Sequence, residues 1–290
     1  MNVTRFERAN DFYQAAESLL IAHEAENNLL MGLARALRIM EDLYRDPYFA
    51  LVTDGDDSPA LAALMTPPNN VILSMAWTPA AAAAAALVEV LLQTHPALSG
   101  VTAPVQVADY FAAAWTARTG QTAHLTMHER LYKIEQIQPT RPANGHMRPI
   151  TYADLLTVVE WLALFEEEAF SAVRIDRERI ARGLMAWIQA GVRRYYVWED
   201  DGELTCLVGC SGDTPNGMRI GPVYTPPHLR GRGYGTACTA AVTQALLDEG
   251  KKFVTLFTDL ANPTSNHIYQ LIGYTPVVDF RMIRFEPKES

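Results

Sequence analysis

The chain has 290 residues, 49% of them hydrophobic and 20% charged, with a net charge of −9. That leaves room for one large or two ordinary domains of ~100–200 residues each, with a real core. The acidic balance, 33 acidic against 24 basic residues, argues against nucleic acid or an anionic membrane as partner. The opening MNVTRFERANDFYQ lacks the apolar stretch of a secretory signal. No apolar run approaches the ~20 residues of a membrane span. Three cysteines, Cys206, Cys210 and Cys238, show no metal-like pairing. They read as reduced thiols, so a cytoplasmic protein without a metal is expected.

In the N-terminal half, LVTDGDDSPALAALMTPPNNVILSMAWTPA reads as strand, acidic Gly turn, strand, Pro/Asn loop and strand. An alanine run, Ala80–Ala86, follows, and alanine is the best helix former. The segment Gln138–Pro149 holds three prolines and a glycine and is the linker candidate. The boundaries predicted from it are a domain over 1–137, a linker over 138–144 and a second domain over 145–290.

The second half continues with helical spacing over Tyr152–Phe170 and a second helix over Arg177–Ala190. A strand at Arg194–Trp198 precedes the turn Glu199–Gly202. Two more strands, Leu204–Cys210 and Met218–Thr225, are joined by the hairpin-like SGDTPNG. Then comes YTPPHLRGRGYGTACTAAV, a cationic glycine loop that runs straight into a helix. That helix carries small and apolar residues at Ala237, Cys238, Ala241, Val242, Ala245 and Leu246, and Gly250 stands where a C′ glycine belongs. Phe253–Phe257 reads as a strand, Ser265–Ile272 as a helix and Val277–Phe285 as a closing strand. The N-terminal half repeats this order about 147 positions earlier, with Trp77-Thr78-Pro79 opposite Tyr224-Thr225-Pro226. Where the second copy has HLRGRGYG, the first has only alanines.

The glycine loop has a physical rationale. The first N–H groups of a helix lack internal partners and carry the positive end of the helix dipole. Glycines in front of them let a ligand approach closely, which suits phosphate. Arg230 and Arg232 add charge-assisted donors. The glycines are not a Walker A loop, because no Lys-Ser or Lys-Thr follows them. They do not form the dinucleotide fingerprint either, because Gly231, Gly233 and Gly235 give GxGxG.

The spacing Arg-x-x-Gly-x-Gly at Arg230, Gly233 and Gly235 resembles the GNAT superfamily of acetyl-CoA-dependent N-acetyltransferases. After the next strand, NPTSNHIYQLIGY (Asn262–Tyr274) resembles that family's second signature. The resemblance covers roughly Gly145 to Ser290. For the N-terminal half it is weaker and rests on the repeat. It implies an α/β (α+β) fold of two tandem GNAT-like domains, each a mixed, mostly antiparallel sheet flanked by helices. The first copy would keep the scaffold without the pyrophosphate loop.

It also implies acetyl-CoA as co-substrate, held by Val223, Tyr224, Thr225, Arg230, Gly231, Arg232, Gly233, Tyr234, Gly235, Thr236, Asn262 and Tyr269. The strands flanking the loop would splay and leave backbone groups for the pantetheine arm. A backbone N–H near Val223 would stabilise the oxyanion, and Tyr269 would be the general acid. The acceptor would be a small-molecule or peptide amine, and the protein a monomer or homodimer.

Several residues keep a second reading. Tyr269 also reads as a packed helix tyrosine, and Asn262 as the N-cap of a helix beginning at Pro263. Glu166, Glu167 and Glu168 read as a solvated face or as candidate bases, beside Asp259 and a water chain. His228 and His267 read as surface residues. Cys206 and Cys210 share one strand face and read as core or cleft lining. The alternative function is a non-catalytic acetyl-CoA-binding or protein-interaction module.

Overall fold

The structure, a computed structural model, describes residues 1–76, 79–170 and 175–288, the side chain of Phe170 excepted. The chain forms two units. One comprises Met1–Tyr132, Phe257–Pro263 and the residues from Pro276 on; the other comprises Lys133–Leu256 and Thr264–Thr275. The two units interleave along the sequence, and the 138–144 segment belongs to the second.

The first unit begins with β1 (Asn2–Phe6), α1 (Ala9–Ala22), α2 (Asn28–Ile39), β2 (Tyr48–Thr53), β3 (Pro59–Met65) and β4 (Val71–Leu73). It continues with α3 (Ala80–Thr94), β5 (Gly100–Pro104), α4 (Val105–Thr119) and β6 (Thr122–Ile134). The second unit carries β7 (His146–Pro149), α5 (Leu155–Phe170), α6 (Arg177–Gln189), β8 (Arg194–Asp200), β9 (Glu203–Ser211) and β10 (Gly217–Tyr224). After it come α7 (Tyr234–Asp248), β11 (Phe253–Asp259), α8 (Pro263–Ile272) and β12 (Thr275–Glu286).

In the first unit the strands stand in the order β1-β2-β3-β4-β5-β12-β6. The pairs β1–β2, β2–β3, β3–β4 and β5–β12 are antiparallel, and β4–β5 is parallel. The last strand of the chain therefore completes the sheet of the first unit, with Phe280 opposite Pro104 and Arg284 opposite Gly100. Both faces are covered. Along β2, Tyr48, Ala50 and Val52 join α3 and α4 through Leu87, Phe111 and Trp115. The alternate residues Phe49 and Leu51 pack on α1 and α2 through Phe12, Leu20 and Met31. This is the two-residue period of a strand written in apolar residues on both sides. Each large side chain so buried contributes about 1.5–3 kcal/mol.

The second unit has the order β11-β10-β9-β8-β7, antiparallel except for β10–β11. On one face Tyr195, Val197, Leu207 and Tyr224 pack against Val158, Leu162 and Leu184 of α5 and α6. On the other face Cys206 meets Cys238 of α7. The helix expected over Tyr152–Phe170 divides into a 3-10 turn, Tyr152–Asp154, and α5. Asp154 is the reason. Its carboxylate accepts from Thr151 N at 2.6 Å and Thr151 Oγ1 at 2.8 Å, and it pairs with Arg148 at 2.7 Å. The Arg148 guanidinium holds the Asp154 carboxyl well below the usual carboxylate range. Mixed, mostly antiparallel sheets flanked by helices are what the resemblance implied for each copy. The Trp77-Thr78 part of the repeat lies outside the described residues.

Candidate active site

The site is built where β10 parts from its neighbour. Pairing of β10 with β11 runs from Gly217 opposite Phe253 to Ile220 opposite Leu256. Both strands continue beyond that last pair. On the other edge, Ile220 faces Cys210 but Val223 faces Val208, so β10 carries one extra residue, a bulge. A Cβ at Gly209 would stand 2.9 Å from the Gly221 carbonyl oxygen, so the bulged segment lies hard against a bare glycine. From Gly221 to Tyr224 the strand edge that faced β11 is outside the ladder. Backbone groups there need another partner.

The chain leaves β10 through Thr225 and a 3-10 turn, Pro227–Leu229, whose Leu229 is buried. Gly231 and Gly233 have φ of +77° and +88°, a region that favours glycine. Gly233 is the N-cap of α7 and brings no side chain to its first N–H groups. A Cβ on Gly233 would meet only Ala143, at 3.8 Å, and one on Gly231 would meet nothing. Gly235 sits inside α7, where a Cβ would touch only Thr225 Oγ1 at 3.4 Å. The helix N-terminus is therefore uncapped and approachable, the chemistry an anionic group requires.

The side chains around the loop are tied to their neighbours. Arg230 is a brace. Its Nε donates to the Thr225 carbonyl at 2.8 Å, its guanidinium donates to Glu168 at 2.7 and 2.9 Å, and its Cζ lies 5.8 Å from the Tyr224 ring centroid. Tyr224 is buried, donates to Glu168 Oε1 at 3.4 Å and packs on Trp161. Tyr234 reaches back to Asp200, donating to Oδ2 at 2.6 Å, and the bond to this carboxylate pushes the phenol pKa up. Arg232 is exposed, donates at 3.4 Å to the His228 carbonyl and also bonds the Tyr234 hydroxyl.

Tyr269 of α8 is 8% exposed, with its ring edge-on to Tyr274 at 6.1 Å. Tyr274 is fixed in turn by a 2.7 Å bond with Thr243. Burial, and after it the nearby Cys206, pushes the Tyr269 hydroxyl well above its ordinary value. Cys206 is a free thiol, hydrogen-bonded to Cys238 and to Thr225. All three thiols are buried, and burial pushes Cys210 up to about 12, which suits core lining rather than nucleophilic chemistry.

The second unit carries Val223, Tyr224, Thr225, Arg230 to Thr236, and Tyr269. Asn262 falls with the first unit, directly before Pro263, and its N–H donates to the Asp259 carbonyl at 3.0 Å. The candidate bases on α5 are committed. Glu166 pairs with Arg179 at 3.2 Å, Glu167 lies 3.8 Å from Arg177, and Glu168 holds Arg230. Asp259 accepts from Ala261 N at 2.9 Å. His228 and His267 are exposed. Sequence reasoning missed the Glu168 and Asp200 braces, because partners 62 and 34 residues apart leave no local pattern. Among the described residues no group of three or more His, Cys, Asp or Glu could hold a metal. Among the same described residues no helix is long and apolar enough to cross a membrane.

Residues 156–274 match the model of the acetyltransferase (GNAT) family. A solved Drosophila protein is similar in fold over 99% of both chains, with a TM-score of 0.69 and 14% identity. A tandem GNAT protein from the clavulanic acid biosynthesis pathway matches over 100% of this chain and 99% of its own, with a TM-score of 0.60 and 14% identity. A GCN5-related N-acetyltransferase from Sphaerobacter thermophilus matches over 98% of this chain and 95% of its own, with a TM-score of 0.60 and 17% identity. No curated protein matches the chain significantly. At such identities the likeness is one of fold, and it spans the whole chain. Residues 156–274 of the second half thus match the GNAT acetyltransferase family, and the whole chain has the fold of a tandem GNAT protein.

Proposed function

We propose that the protein is an N-acetyltransferase that moves the acetyl group of acetyl-CoA to a primary amine by direct attack. The observation that carries this reading is the early end of the β10–β11 ladder, followed at once by an uncapped, glycine-fronted helix. The exposed strand edge suits an amide-bearing arm, and the helix N-terminus suits a pyrophosphate. Of the residues present, the backbone of Val223–Thr225 and of Gly231–Thr236 would hold the donor.

The chemistry follows from charge movement. The neutral amine attacks the thioester carbonyl, the C–N bond forms and the C–S bond breaks. A backbone N–H near Val223 is assigned to the oxyanion. Tyr269 is assigned to the departing sulfur. Because burial raises its pKa above the ordinary ~10, it stays protonated and donates a hydrogen bond. Full transfer from so weak an acid to a thiolate, whose ordinary pKa is ~8.5, is uphill. The proton that ends on sulfur therefore balances the one lost by the attacking amine. The acceptor's own proton leaves through water, since the glutamates of α5 are bound to arginines. The acceptor is a small-molecule or peptide amine.

Thiol release from acetyl-CoA, followed across a panel of small and peptide amines with Gly233→Asp as control, tests the reading. Amine-dependent release in the wild type, reduced by about 100-fold or more in the variant, is expected, because a side chain at φ +88° is strained and its carboxylate repels phosphate. Tight binding without release for any amine would instead mark a binding module.

A further inference from the structure

The first unit carries a cavity of its own, of about 530 Å³. Three segments line it: Arg8 before α1, Arg38 and Ile39 at the end of α2, and Pro47 and Phe49 at the start of β2. All of them lie within Met1–Tyr132, so the cavity belongs to one unit.

Its lining has two characters. Leu37 and Phe49 are buried, whereas Ile39 stays 46% exposed for an apolar side chain. The polar part sets three guanidiniums, Arg8, Arg35 and Arg38, against two carboxylates, Glu7 and Glu41. In a chain of net charge −9 this is a local positive excess of one.

Pairing among these groups is thin. Arg8 reaches Glu41 only at 3.5 Å, and both side chains are more than two-thirds exposed. An exposed pair of that kind contributes little and yields to a better acceptor. Arg38 has no carboxylate within ion-pair distance among the described residues. Its guanidinium lies over the Tyr13 ring, 4.9 Å from the centroid. A cation–π contact uses the flat face of a guanidinium and leaves its N–H donors, which lie in the plane, for an acceptor.

We propose that this cavity binds a small organic monoanion, a carboxylate with an apolar tail. Arg38 and Arg8 take the charged end, through the paired N–H bonds by which guanidinium meets carboxylate. Ile39 and Pro47 take the tail. A single carboxylate neutralises the excess charge, while a polyanion would meet repulsion from Glu7 and Glu41. The site does not depend on the acetyl-transfer reading, since its unit lacks the glycine loop.

The experiment is a ligand-observed NMR titration of the full-length protein with three probes: hexanoate, hexanol with the tail alone, and acetate with the charge alone. Hexanoate is expected to bind with a Kd on the order of 1 mM, and each of the others about tenfold more weakly. Arg38→Ala should weaken hexanoate about tenfold, and Arg38→Lys should keep part of the affinity. Ile39→Ser should weaken hexanoate about threefold and leave acetate unchanged. Arg45→Ala, at an exposed arginine outside the lining, should change nothing. Excess acetyl-CoA should not displace hexanoate. Thermal unfolding checks that each variant is folded. No binding of hexanoate, equal binding of hexanol, or an Arg38→Ala effect no larger than that of Arg45→Ala overturns the proposal. Displacement of hexanoate by acetyl-CoA overturns it as well, because the anion then sits at the donor site instead.

Discussion

The two units hold the same motif in opposite states. In both, a strand lies parallel to its neighbour and then gives way to a helix: β4 beside β5, and β10 beside β11. Past β10, Gly221–Tyr224 continue with one edge outside the ladder. Past β4 the corresponding backbone is already satisfied. The Met75 N–H donates to Asn27 Oδ1 at 2.8 Å, and Asn27, fully buried, donates in turn to the Leu20 carbonyl at 3.1 Å. In the repeat alignment Pro222 stands opposite Met75, and a proline has no N–H to satisfy. The helices differ in the same sense. α3 follows Pro79 and starts in alanine, whereas α7 follows Gly233 in a left-handed conformation. One copy has closed its strand edge with its own side chain, and the other has left the edge outside the ladder. A shared fold therefore says little about function until the edge backbone is accounted for.

The comparison breaks most completely by truncation. A fragment 138–290 keeps β12 but loses β5, its antiparallel partner from Phe280 to Arg284. It is expected to lack a cooperative unfolding transition, because burying Phe280, Ile283 and Phe285 needs the first unit. A fragment that unfolds cooperatively, read by calorimetry, would mean that the repeats are independent.

Next in size is Tyr269→Phe. If the second unit alone is catalytic, turnover should fall by about 100-fold while acetyl-CoA affinity holds, within the range for loss of a positioned proton donor. The pH dependence carries its own sign. Because the Tyr269 pKa is raised, the donating form persists to higher pH than for a free phenol. The wild-type rate should therefore show no fall between pH 8 and the ordinary phenol value of ~10 that belongs to this group. A fall in that interval which disappears in Tyr269→Phe would contradict the burial of the hydroxyl.

The smallest effect sharpens the comparison from the other side. Asn27→Ala strands the half-buried Met75 N–H and removes the buried amide that bonds the Leu20 carbonyl, and should cost about 1–3 kcal/mol of stability in denaturant unfolding. Acetyl-CoA affinity should not change, since the first unit's edge has no part in donor binding. Gain of a second binding site in the variant would show that Asn27 alone holds that edge closed.

Much of the site was legible because it is local in sequence. Gly231 and Gly233 announce themselves by spacing, and their positive φ values bear out the reason for glycine. Cys206 and Cys210 share a strand face as the two-residue period requires, and both are buried. Arg230 shows the limit. Its place in the motif suggested a phosphate donor, but its side chain is spent on Glu168 and the Thr225 carbonyl. Arg141 shows the converse, since nothing around it in QPTRPANGHMRP hints that it lines a cavity beside the glycine loop.

The sequence by itself determined the order of strands and helices from Tyr152 on, the repeat, the glycine loop before α7 and the position of Tyr269. Each of these rests on periodicity or on backbone conformation, which neighbouring residues set. Tertiary structure alone decided that β12 completes the first unit's sheet, that Asn27 fills one strand edge while another stays open, and that Arg230 of the loop is bound to Glu168. These depend on hydrogen bonds and ion pairs between residues far apart in the chain, where only three-dimensional proximity selects the partner.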